Sequence, residues 1–177
     1  TGLPLWSANA LLNDHDSQIL KQIHLDYFNA GADIITANTF RTHQRSLAKG
    51  GCGQRARELT LKAVAIAREA GAKRVAGSIA PLEDCYSPQL VPSDVECERE
   101  HSEMIQYLAE ANVDYFLIET MNTIREAAIA AKAATRIGGT PNRVAVVVSF
   151  VCGIDGKLLS GESLSDAART VIDLGVN

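Results

Sequence analysis

The chain has 177 residues, 46% hydrophobic and 21% charged, which places it among globular domains and excludes the disordered and fibrous classes. Its net charge of -4 argues against nucleic-acid and anionic-membrane partners, which call for a basic face, and leaves a small molecule as the expected partner. No apolar run reaches the roughly 18 residues of a membrane span and no signal-peptide layout is seen, so a cytoplasmic protein is expected.

The first helical spacing places Ile19, Leu20, Ile23 and Tyr27 on one face, expected to be buried. It runs into "FNAGADIITANTF", Phe28 to Phe40. Here a glycine, which tolerates the left-handed conformation, stops a helix and an apolar strand follows. In that strand Thr36 and Asn38 share one face, and Thr39 shares the other with Ile35. Two readings of these polar groups stand: hydrogen bonds to a substrate, or a polar layer satisfied within the fold.

The same junction recurs. Leu59, Val64, Ile66 and Ala70 form a second stripe that passes through "REAGAKRVAGSI", Arg68 to Ile79. The connection that follows, Pro81 to Asp94, is long and carries three of the five prolines, as a lid over a site would. Met104, Ile105, Leu108 and Ala111 make a third stripe leading through "AEANVDYFLIET", Ala109 to Thr120, with Asn in place of Gly. Thr123 and Glu126 have capping-box spacing and open an alanine-rich helix that ends at Gly138 and Gly139. After "VAVVVSFV", Val144 to Val151, a fifth helix starts near Ser163 or Ser165, carries Ala168, Val171, Ile172 and Leu174, and closes on a fourth copy of the junction, "IDLGVN".

Apolar runs without polar alternation suit strands covered on both faces, and their strict alternation with helices predicts α/β architecture with a parallel sheet. No G-x-G-x-x-G follows a strand, so a dinucleotide crevice has no support. Polar residues late in each run favour a (β/α) barrel, whose chemistry sits at the C-terminal strand ends. The prediction is a partial (β/α)8 TIM barrel of about four parallel strands, one partial domain over residues 1–177.

Among the strand-end residues Glu119 is the most informative, because a carboxylate delivered by "YFLI" to the mouth of a barrel is costly unless a cation or ligand meets it. An ion pair with Arg125 or capping of the next helix is the structural alternative. Ser149 occupies the matching end of the fourth strand. The four histidines, His15, His24, His43 and His101, show no metal or catalytic spacing and read as surface or partly buried. Cys52, Cys85, Cys97 and Cys152 form no CxxC pair and read as reduced thiols.

Taken in series, "LWSANALL", "HLDYFNAGADIITANTF", "AGSIAP", "FLIETM", "SFVCGIDGKLLSGESL" and the closing "GVN" resemble the homocysteine S-methyltransferase family over almost the whole chain. The resemblance implies a zinc-dependent enzyme that moves a methyl group from a small donor to the thiolate of homocysteine, giving methionine. It implies that Glu119 holds the homocysteine amino group and that Asn38, Thr39 and Ser149 line the substrate pocket. It assigns no metal ligand to this stretch: the family's three zinc cysteines are expected beyond Asn177, and a first strand is expected ahead of Trp6. Cys152 matches a family cysteine that is not a ligand, and Ala80 departs from a common glycine. Residues 1–177 alone are then expected to lack zinc, to be inactive, and to self-associate through open sheet edges. The donor class stays open among sulfonium, betaine and cobalamin-bound methyl groups, with a weak preference for a sulfonium. The alternative function is that of a truncated or degenerate homologue serving as a binding or assembly module.

Overall fold

A computed structural model describes residues 5–139 and 144–176. After a 3-10 turn at Trp6–Leu11 come α1 (Asp14–Asn29), β1 (Ile35–Ala37), the short α2 (Gln44–Ala48) and α3 (Ala56–Glu69). They are followed by β2 (Val75–Ile79), α4 (Asp94–Glu110), β3 (Tyr115–Met121), α5 (Ile124–Gly138), β4 (Ala145–Phe150) and α6 (Leu164–Asp173). The four parallel strands form one sheet in the order β1-β2-β3-β4, and β1 pairs with β2 in the register Ile35 to Val75 and Ala37 to Gly77. Each connection is a crossover containing a helix, as parallel pairing requires. The α/β alternation expected from the apolar runs is therefore observed.

The four repeated junctions are built alike. Gly31, Gly71, Asn112 and Gly175 all have positive φ, at 96°, 97°, 56° and 81°. Each is followed by an N–H that reaches back five residues: Ala32 to Tyr27, Ala72 to Ala67, Val113 to Leu108 and Val176 to Val171. These are Schellman closures, which satisfy helix carbonyls and turn the chain toward the sheet.

Contacts divide the chain into two compact units, Thr1–Ser78 with Tyr107–Tyr115, and Ile79–Gln106 with Phe116–Asn177. In the first, Leu5, Ala8, Leu11, Leu20, Leu47, Leu59 and Ile66 pack into one cluster. In the second, Phe116, Ile118 and Met121 of β3 are fully buried, as are Ala127, Ala130, Ala131 and Ala134 of α5. The small alanines let α5 lie close; a Cβ on Gly138 would stand 2.9 Å from the Phe116 ring.

Two expected faces are corrected. On α1 only Leu20 of the predicted stripe is buried, with Ser17 and His24, while Ile19, Ile23 and Tyr27 are exposed at 49%, 46% and 64%. The inner face runs 17, 20, 24 in the 3.6-residue period, one step round from the one the large side chains suggested. On α6 the buried pair is Ala167 and Val171, and Ile172 faces outward. The histidines are corrected too: His24, His43 and His101 are all buried.

Candidate functional site

The end of β3 carries an unusual stretch of backbone. Along a regular strand, burial alternates residue by residue. From Tyr115 to Ile118 it does so here, with Phe116 and Ile118 buried, but Glu119 and Thr120 are both only half-buried and Met121 is buried again. The alternation slips by one residue, as at a β-bulge. The cause is Thr120, whose φ of 62° puts a β-branched residue in the left-handed region. Such a conformation costs about 1–3 kcal/mol and persists only where its surroundings enforce it. Among the described residues two other non-glycines share it, Trp6 and Asn112, and Asn112 is accounted for as a helix closure.

One enforcing contact comes from β4. The Thr120 N–H, which would ordinarily join the sheet ladder, donates to the Ser149 hydroxyl at 3.3 Å. One residue further, the Val151 N–H returns to the Met121 carbonyl at 2.9 Å. Ser149 is thus brought directly against the peptide that carries Glu119, within one compact unit.

The start of α5 and the Arg125 side chain each have partners within the same unit. The start of α5 is capped by Glu162, which accepts from the Ile124 N–H at 3.0 Å, and by Thr123, which accepts from the Glu126 N–H at 3.2 Å. The Arg125 guanidinium is held by Asp94 at 2.5 Å and by the carbonyls of Pro92 and Val91.

The other two predicted site residues stand in the first unit. Asn38 is half-buried, and its side-chain amide donates to the Ser7 carbonyl at 2.8 Å. Thr39 is fully buried and its hydroxyl donates to the Ser78 carbonyl at 2.8 Å. Its observed work is to tie the end of β1 to the end of β2.

A buried polar cluster escaped the sequence reading. Glu126 does not complete the capping box, since its carboxylate turns inward, fully buried, and its Oε1 meets the Leu82 N–H at 2.9 Å and His101 Nε2 at 3.0 Å. Asn122, also fully buried, donates to the carbonyls of Asp84 and Cys85 at 3.3 Å and 3.0 Å. These side chains clamp residues 82–85, so the first half of the connection expected to act as a lid is pinned from below. A Glu and a His 25 positions apart on separate helices carry no short-range pattern that could have announced the pair.

Among the described residues no three His, Cys, Asp or Glu side chains are grouped to hold a metal ion. Cys52 and Cys97 direct their thiols at the carbonyls of Gly50 and Pro92. The donor set of the described residues does not fit a zinc centre, which needs three or four converging ligands.

Four parallel strands separated by helices define the class as α/β. The chain belongs to the homocysteine S-methyltransferase family, whose model matches residues 1–177. It is 28% identical to the methionine synthase of Mycobacterium tuberculosis, over 98% of this chain and 15% of that protein. It is 30% identical to the homocysteine S-methyltransferase YbgG of Bacillus subtilis, over 98% of this chain and 62% of that protein. The crystal structure of the Escherichia coli homocysteine methyltransferase MmuM in its oxidized form superposes with a TM-score of 0.86 at 24% identity, covering 99% of this chain and 64% of that one. Its metallated form gives 0.84. The chain therefore spans less than two thirds of the length of these relatives.

Proposed function

We propose that the protein is a homocysteine S-methyltransferase in which residues 1–177 form part of a (β/α) barrel and supply the amino-acid side of the homocysteine pocket. The observation that carries this reading is the end of β3, where a carboxylate stands on a strained, specifically held backbone in a chain of this family. Strain of this kind gathers at functional sites.

In this reading Glu119 binds the homocysteine ammonium and Ser149 stands beside it at the end of β3; the resemblance to the family supports Asn38 and Thr39 as further substrate contacts. The reaction is a nucleophilic displacement. The homocysteine sulfur forms a bond to the methyl carbon, the bond from that carbon to the donor breaks, and the donor departs with the electron pair. The thiol proton goes to solvent. A cationic donor becomes neutral on losing the methyl group, so a sulfonium or quaternary ammonium suits the step. Zinc would favour the thiolate; no ligand set for it stands among the described residues. A cytoplasmic setting, homocysteine and a small methyl donor as partners, self-association through open sheet edges, and no nucleic-acid or membrane partner complete the proposal.

Glu119→Ala in the whole protein tests it. Homocysteine binding measured by calorimetry should weaken by about 2–3 kcal/mol, the scale of a charge-assisted hydrogen bond, while the unfolding midpoint changes little. Unchanged affinity together with a large loss of stability would assign Glu119 to the fold instead.

A further inference from the structure

We propose that Ser149 is a positioning residue: by accepting the Thr120 N–H it holds the left-handed turn of the backbone that sets how Glu119 leaves the end of β3. The inference rests on the homocysteine reading of Glu119 and adds to it the device that aims the carboxylate.

The peptide that joins Glu119 to Thr120 contains the N–H that Ser149 accepts at 3.3 Å. Its orientation is set by the ψ of Glu119 and the φ of Thr120, and these two angles fix the exit directions of both side chains. In an unperturbed strand Glu119 and Thr120 would project from opposite faces, and Thr120 would fall on the buried face of Phe116 and Ile118. With φ at 62° the phase slips, Met121 takes the buried position, and Glu119 and Thr120 are both left half-buried. A threonine resists this conformation because its branched Cβ crowds the backbone, so a partner is needed to hold it. The partner observed is a side-chain oxygen from β4, the Ser149 hydroxyl. Ser149 is itself exposed, so its hydroxyl is not kept there by burial.

Glycine takes the left-handed region at no steric cost. Replacing Thr120 by Gly should therefore remove the need for the Ser149 contact, which gives the proposal a readout that a purely structural serine would not produce. In the whole protein, Ser149→Ala should weaken homocysteine binding about threefold to tenfold in calorimetry, the factor equivalent to losing one ordinary hydrogen bond. The double variant Ser149→Ala with Thr120→Gly should recover most of that loss. Thermal unfolding of the same proteins should show a lower midpoint for Ser149→Ala and a higher one for Thr120→Gly alone. If Ser149→Ala fails to fold, Ser149→Cys, whose thiol is a poorer acceptor, makes the same comparison.

Ser149→Ala binding like the parent while Glu119→Ala binds weakly would overturn the positioning role and leave the Glu119 reading standing. Failure of Thr120→Gly to rescue Ser149→Ala would also overturn it, because Ser149 would then act by touching the ligand. Parent-like binding by Glu119→Ala would remove the reading on which the inference rests.

Discussion

His24 lies on the inner face of α1, 7% exposed, and its Nε2 has no hydrogen-bond partner among the described residues. Burial disfavours the imidazolium and holds the folded-state pKa below the ordinary 6.5. The unfolded chain therefore takes up a proton first as the pH falls. Above pH 6.5 both states carry neutral His24 and the residue imposes no penalty. Below that value stability is lost progressively until the folded-state pKa is passed, and the loss is then complete. His24→Gln should flatten this part of the profile: between about pH 7.5 and pH 5.5 its denaturant midpoint should fall less steeply than the parent's. Parallel profiles would show that another group carries the acid sensitivity. At this scale the sequence was a partial guide. Glu119 could be singled out as a candidate from a charge at the end of an apolar run, because burying charge is costly whatever the tertiary setting. The roles of His24, His101 and Glu126 could not, since each depends on which helix face turns inward and on a partner far along the chain.

Element boundaries and junctions were the most legible layer. A helix stop is a local event, decided by whether one residue can take positive φ, and the sequence marks it with Gly31, Gly71, Asn112 and Gly175. The face that a helix buries is not local, and on α1 the largest apolar side chains misled, because the neighbours that fix the inner face lie elsewhere in the chain. Close packing leaves a clearer trace. Gly77 in β2 has every neighbour in its strand buried, and a Cβ there would stand 2.7 Å and 2.9 Å from the two methyl carbons of Leu108 on α4. Leu108 is itself fully buried, so it has little room to yield. Gly77→Ala should cost about 1–3 kcal/mol by overpacking, read as a lower denaturant midpoint with an unchanged slope. An unchanged midpoint would mean that α4 shifts away from β2 more easily than interior density suggests.

At the scale of the whole molecule the strand order leaves β1 and β4 as edges, each able to present unpaired N–H and C=O groups. Apolar side chains accompany both. Beside β1, Ile23, Tyr27 and Ile34 are exposed and line a cleft of about 290 Å³ with His24 and Thr36; on β4, Val147 is 39% exposed. Covering roughly 200 Å² of such surface contributes on the order of 5 kcal/mol. Joining two molecules costs an estimated 4–15 kcal/mol in lost freedom, so apolar contact alone is marginal, and strand pairing at the edge must add to it. A polypeptide of residues 1–177 produced by itself should therefore self-associate at tens of micromolar and approach monomer on dilution, with the edge next to β1 as the first point of contact. Sedimentation velocity over a dilution series measures this directly. Ile34→Lys, which sets a charge beside the exposed edge as natural edge strands do, should shift the distribution toward monomer. A folded monomer at every concentration would show that these edges are covered within the chain itself. Self-association unaffected by Ile34→Lys would move the contact to the β4 edge.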